Sequence, residues 1–154
     1  MIVRPLDKAD YGYALFSWRE SAKKAPGPDR LPWSYFKTTH GSAFEKILDS
    51  GTALGAYTNE GELVGWLVMT PGKRVHTVHW VYVKHEKRRR GVMTALLDAA
   101  DLGSRFIYTL RARRHRAPLP DGGTTKSLDE TLVASLRARG VTATFVPLLK
   151  EWLK

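Results

Sequence analysis

The chain has no cysteine among its 154 residues. That absence excludes disulfides, thiolate metal sites, a cysteine nucleophile and a covalent acyl-cysteine intermediate, so a thiol can enter its chemistry only with a ligand. Acidic residues are few: 15 Asp and Glu stand against 25 Lys and Arg, for a formal net charge of +10. Such an imbalance suits a polyanionic partner, and a phosphorylated small molecule or a nucleic acid would serve equally. No apolar run approaches a membrane span. The N-terminal MIVRPLDKAD carries Arg4, Asp7 and Lys8 where a signal peptide would need an apolar core. A cytoplasmic protein with no membrane partner is expected. Repeats and low-complexity segments are also missing. At 43% hydrophobic residues, 154 positions suffice for one domain, 1–154, with a real core.

What is present reads as alternating elements. Met1 to Leu6 forms a strand pattern, and Asp7 is placed to cap a helix whose stripe is Tyr11, Ala14, Leu15 and Trp18. Lys23 to Arg30 contains two prolines around a glycine and reads as a hinge or lid. Trp33 and Phe36, then Phe44, Ile47 and Leu48, recur at helical spacing with a break near Gly41. Three strand patterns follow, Ala53 to Thr58, Leu63 to Thr70 and Val75 to Lys84, and the short Gly-containing turns between them predict an antiparallel meander. Strict alternation in the third puts Val75, Thr77, His79, Val81 and Val83 on one face and His76, Val78, Trp80 and Tyr82 on the other. A helix carrying Met93, Leu96, Leu97 and Ala100 comes next, then a strand from Arg105 to Leu110, which implies a parallel crossover. Beyond a basic loop with Arg111, Arg113, Arg114 and Arg116, the spacing of Ser127 and Glu130 predicts a capped helix that ends at Gly140. Val141 to Val146 is the last clear strand, and Leu148 to Lys154 reads as either a short helix or a final strand.

The junction from Val81 to Leu97, VYVKHEKRRRGVMTALL, carries the chemistry. A strand runs into an Arg-rich turn, one glycine and a helix start, which together aim unpaired N–H groups and a positive dipole end at one point. Diphosphate is the natural guest of such a turn, although the run Lys84, Lys87, Arg88, Arg89 and Arg90 also fits a solvated face. In detail Arg88-Arg89-Arg90-Gly91-Val92-Met93 resembles the RxxGxG/A acyl-CoA signature of the GNAT superfamily of N-acyltransferases, with Val83 ahead of it as in that family's pattern. Met93 departs from the pattern, standing where a small residue is usual. The order of elements resembles the GNAT fold over nearly the whole chain, with the seventh strand short or absent, and Leu136 to Val141 resembles the family's closing helix-to-strand segment. The resemblance implies an α+β, three-layer αβα fold with a mixed, mostly antiparallel central sheet and flanking helices.

It also implies an acyl-CoA-dependent N-acyltransferase, most simply an N-acetyltransferase using acetyl-CoA. Backbone groups at Val81 and Val83 would hold pantetheine, and the turn of Arg88, Arg89, Arg90, Gly91, Val92, Met93 and Thr94 would hold the diphosphate. An amine attacks the thioester directly, with a strand N–H near Val83 facing the carbonyl oxygen. Family members often keep a carboxylate on the fourth strand, and none precedes Lys84 here. His79 is the substitute base, since imidazole titrates near neutrality, although a strand histidine also serves as a packed core residue. The family's leaving-group tyrosine falls on Leu136, so Tyr108 is the replacement acid, with core packing its other reading. Trp33 and Tyr35, with His40 in reach, are the candidates to line an acceptor pocket. The acceptor is a small-molecule or protein amine, the assembly a monomer or homodimer, and no metal is expected. Two alternatives stay open: a nucleic-acid-binding or nucleic-acid-modifying protein on the same scaffold, drawn from the basic loop, and a non-catalytic acyl-CoA binder, drawn from Met93 and Leu136.

Overall fold

The computed structural model describes residues 1–23, 44–108 and 136–145. The Pro-rich segment 24–30, Trp33, Tyr35, Phe36, His40, the four arginines of the basic loop, the capping pair Ser127 and Glu130, and the whole of 146–154 lie outside the described residues.

Among the described residues, six strands form one sheet in the order β1 to β6: β1 (Ile2–Pro5), β2 (Thr52–Tyr57), β3 (Leu63–Thr70), β4 (His76–Val83), β5 (Arg105–Tyr108) and β6 (Thr142–Phe145). The first three pairings are antiparallel, and β4 with β5 and β5 with β6 are parallel, so the sheet is mixed and mostly antiparallel. Helix α1 (Tyr11–Lys23) and the helical residues 44–50, here α2, cover one face. Helix α3 (Val92–Ala99), with Leu136 from a helix end, covers the other. This is the expected three-layer α+β arrangement. β3 matches its expected bounds, β2 is shifted one residue toward the N-terminus, and β1 and β4 are each two residues shorter than the sequence pattern.

Each layer follows from its apolar spacing. In α1, Ala14 and Trp18 are fully buried, and Tyr11 and Leu15 pack against the same cluster. Trp18 stacks on Phe44 of α2 with ring centroids 3.9 Å apart and meets Trp66 of β3 edge-on at 5.8 Å. Trp66 Nε1 donates to Ser17 Oγ at 3.0 Å, and that hydroxyl donates to the Ala14 carbonyl at 3.0 Å, which satisfies two buried polar groups within the layer.

Asp7 takes a different role from the expected one. It precedes a single 3₁₀ turn (Lys8–Asp10), and its carboxylate makes no cap; it pairs bidentately with Arg4 at 2.6 and 2.7 Å. Its own N–H donates to Tyr57 Oη at 3.0 Å, and that hydroxyl donates to Asp10 at 3.0 Å. A planar guanidinium three residues earlier thus outcompetes the helix amides for the carboxylate. The helix end at Gly140 is as expected: Gly140 has φ +75°, and Val141 N–H donates back to the Leu136 carbonyl at 2.9 Å.

Packing on the α3 face depends on one glycine. A Cβ at Gly65 would lie 2.8 Å from both the Tyr82 carbonyl and Val92 Cγ1, so its missing side chain is what lets the first turn of α3 rest on β3 beside β4. The helix start is thereby set against the end of β4.

Candidate active site

The β3–β4 register shifts once. Val68 faces Trp80 and Met69 faces Val78, which leaves His79 as the extra residue of a β-bulge. The alternation expected across β4 is therefore corrected. Val78 sits with Val81 and Val83 in the α3-side core, whereas Trp80 and Tyr82 belong to the α1 side. His79 does not share the face of Val81 and Val83. It meets Thr70, which follows the α3-side Met69 and so lies by alternation on the α1 side, with Nε2 2.9 Å from Thr70 Oγ1. A bulge inserts one residue and reverses the phase of everything behind it, which composition cannot reveal.

The bulge also bounds the ladder to β5. Only His76, Thr77 and Val78 pair with β5 among the described residues, opposite Phe106, Ile107 and Tyr108. Beyond the bulge, Lys84 N–H donates to the Val64 carbonyl at 2.9 Å, so residues 84, 82 and 80 bond toward β3. In an antiparallel ladder the residues between them turn their N–H and C=O the other way. The backbone groups of Val81 and Val83 consequently point to the β5 side of β4. Among the described residues, the partner found there is Arg88, whose Nε donates to the Val83 carbonyl at 3.2 Å.

After β4 the chain makes a 3₁₀ turn (His85–Lys87), in which Lys87 N–H donates to the Lys84 carbonyl at 2.9 Å and Arg88 N–H to that of His85 at 3.3 Å. Two left-handed residues then reverse the backbone: Arg89 at φ +60° and Gly91 at φ +76°. Gly91 is the N-cap of α3 and offers no side chain to cap it. Among the described residues, no acceptor meets the N–H groups of Arg89, Arg90, Gly91, Val92, Met93 or Thr94, where the first helical bond is Ala95 N–H to the Gly91 carbonyl at 2.9 Å. Successive free amides at a turn with left-handed residues, opening a helix, form a concave donor array for an anion. The side chains of Arg88, Arg89 and Arg90 are exposed around it. Lys84 is drawn off: its Nζ pairs with Glu62 at 2.9 Å and lies 5.5 Å from the Tyr13 ring centre. Met93 is half-buried and packs against the α3-side core, so its side chain leans onto the protein.

The catalytic candidates are on opposite faces. His79 is 3% exposed, and burial pushes its imidazole down to about 4, so the ring is neutral at physiological pH. Tyr108 packs against the α3-side core two residues after Phe106, and Leu136 is buried in the same core, an apolar side chain where the family's acid would stand. Thr70 was not singled out by sequence reasoning. It is the one exposed residue of β3, and its nearness to His79 is a relation between two strands that β3's own pattern does not contain.

No curated protein matches the chain. Solved structures that resemble it include a histone acetyltransferase HPA2 and related acetyltransferase from Corynebacterium glutamicum, at 20% identity over 64% of this chain and 68% of that one with a TM-score of 0.46. A ribosomal-protein-alanine N-acetyltransferase from Brucella melitensis is 21% identical over 65% of this chain and 68% of that one, with a TM-score of 0.44. The PaiA N-acetyltransferase from Thermoplasma acidophilum, solved with coenzyme A, is 18% identical over 65% and 69%, also at 0.44. The family model described as Acetyltransferase (GNAT) family matches residues 12–101, from α1 through the donor turn to the end of α3, and the chain belongs to that family.

Proposed function

We propose that the protein is a cytoplasmic, acetyl-CoA-dependent N-acetyltransferase, a single domain over 1–154 that acts on a small-molecule or protein amine. The observation that carries this reading is the run of six amides from Arg89 to Thr94 that meet no acceptor among the described residues, set beside the outward-turned backbone of Val81 and Val83. Acetyl-CoA is the acyl donor typical of the family, and its shape suits such a surface. A diphosphate needs the donor turn, and an amide-bearing pantetheine arm needs a strand edge with exposed N–H and C=O groups. Arg88, Arg89 and Arg90 add charge at the phosphate end, and Gly91 leaves room there, since nothing lies within 4 Å of where its Cβ would be. Acetyl-CoA supplies an activated thioester.

The chain's own residues supply orientation and proton handling. An N–H of the Val81 to Val83 edge would hold the thioester's carbonyl oxygen, and its rigidity within the β3–β4 ladder makes that donor pre-organised. His79 serves as general base in its neutral form. The Tyr108 hydroxyl is the acid for the departing thiolate. Direct transfer needs no protein nucleophile, which agrees with the lack of cysteine.

Calorimetry with acetyl-CoA tests the reading. Wild type gives a saturable heat, and Gly91→Asp and the Arg88→Ala/Arg90→Ala pair lose most of it, because the first puts a carboxylate among the phosphates and the second removes two guanidinium groups. No heat at millimolar ligand refutes the reading. Thiol release over a panel of amines then separates a catalyst from a passive binder.

A further inference from the structure

The bulge at His79 turns Trp80 and Tyr82 onto the α1 side of β4, and Tyr82 packs there against the α1-side core. Tyr82 stands between Val81 and Val83, whose backbone faces β5 and whose side chains pack against the α3-side core. A thioester along that edge is backed on the α3 side by the two valines and by α3 itself. An attacking amine therefore comes from the α1 side, where Tyr82 is the side chain at that level of the strand.

Tyr82 meets Tyr13 of α1 there. The rings are edge-on with centroids 6.2 Å apart, and the Tyr13 hydroxyl donates to that of Tyr82 at 3.4 Å, long enough to leave both oxygens open to another partner. Tyr13 is exposed, as is Phe16 three residues on, so α1 offers aromatic surface to solvent beside the end of β4. Burial, the bond with Tyr82 and the charge of Glu86 all push the Tyr13 phenol up, so it stays neutral at physiological pH. One cation already uses this surface: Lys84 Nζ lies 5.5 Å from the Tyr13 ring centre while it pairs with Glu62 at 2.9 Å. An aromatic ring with a carboxylate beyond it is a receptor for an ammonium group. The Lys84–Glu62 pair is open to water, where such pairs hold weakly, so a ligand's cation can displace Lys84.

We propose that Tyr82, Tyr13 and Glu62 form the acceptor subsite and that it selects a diamine. The reacting nitrogen stands beside Tyr82 at the thioester, and the second ammonium takes the place of Lys84 against the Tyr13 ring and Glu62. This rests on the acetyl-transfer reading above. Lys84 is then an internal competitor, a cation of the chain itself that holds the subsite until the acceptor arrives.

Two readouts on the full chain decide the matter. Carbon-13 NMR of tyrosine-labelled protein, titrated with 1,4-diaminobutane in the absence of acetyl-CoA, should move the ring signals of Tyr13 and Tyr82 saturably, and n-butylamine should move them far less at equal concentration. Tyr13→Leu and Tyr82→Phe assign the signals. Lys84→Met keeps a side chain of similar length without the charge and should tighten the titration about two- to fivefold, the worth of an exposed ion pair, whereas Glu62→Gln should weaken it. Ring signals that ignore the diamine overturn the proposal. Thiol release from acetyl-CoA supplies the second readout. Its kcat/KM with 1,4-diaminobutane should exceed that with n-butylamine on the order of tenfold, and Tyr13→Leu should remove most of that preference through KM with little change in kcat, as loss of binding common to ground and transition states does. Equal kcat/KM for the two amines, or a folded Tyr13→Leu that keeps the preference, overturns the subsite. If the diamine releases no thiol while tyramine or a lysine peptide does, the subsite falls and acetyl transfer stands. If no amine releases thiol, acetyl transfer itself is refuted and the acceptor role falls with it.

Discussion

Arg88 turns back on the strand it follows, donating from Nε to the Val83 carbonyl at 3.2 Å. That carbonyl is one of the edge groups proposed to hold a pantetheine amide, so the arginine would compete for it with that ligand. The same side chain stands beside the donor turn. Arg88→Ala should therefore weaken coenzyme A by roughly tenfold, the worth of one charge-assisted contact, while phosphate-free S-acetylpantetheine binds no worse than to wild type. Competition calorimetry with the two ligands measures the opposed effects, and equal weakening of both would show that Arg88 acts only by supporting the turn.

Gly91 separates backbone strain from contact. Its φ of +76° is unfavourable for any side chain, yet a Cβ there would meet nothing within 4 Å. Gly91→Ala should thus lower stability by about 1–2 kcal/mol through conformation alone. Urea unfolding reads that loss, and a neutral result would mean that the turn relaxes into another geometry.

Gly65 is the converse case, with an extended backbone and no space. A methyl group 2.8 Å from the Tyr82 carbonyl and from Val92 Cγ1 must push α3 off the sheet. Gly65→Ala is expected to cost about 1–3 kcal/mol, as overpacking does. It should also weaken coenzyme A, because Val92 belongs to the donor turn. Unfolding and binding measured on the same sample should fall together.

Stability should depend on pH through His79. Its folded value, near 4, lies below the ordinary 6.5, so the unfolded chain binds a proton more readily between those values. The contribution is fully present above about pH 6.5 and is lost as pH falls toward 4, on the order of 3 kcal/mol over that window. His79→Gln should flatten this part of the profile in urea titrations from pH 4 to 7. An unchanged slope would assign the acid sensitivity to other groups.

Much of the fold was legible in the sequence. The strand pattern of β3, the Tyr11, Ala14, Leu15, Trp18 stripe and the Gly-containing turns are local patterns, and each produced its element. The donor turn was equally legible, because Arg-rich sequence, one glycine and a following apolar helix are contiguous. Asp7 misled, since a cap position is visible locally, whereas the alternative bond to Arg4 depends on how β1 enters the turn.

By itself the sequence determined the layers, the crossover and the place of the turn before α3, for all of these follow from the period of apolar residues and from a contiguous Arg-rich run with its glycine. Only the tertiary structure decided which way β4 presents its groups. One extra residue opposite β3 reversed the phase of β4 beyond it, so Val81 and Val83 leave the face of His79 for the α3 side. Register is a relation between two strands, and a single strand's pattern does not contain it.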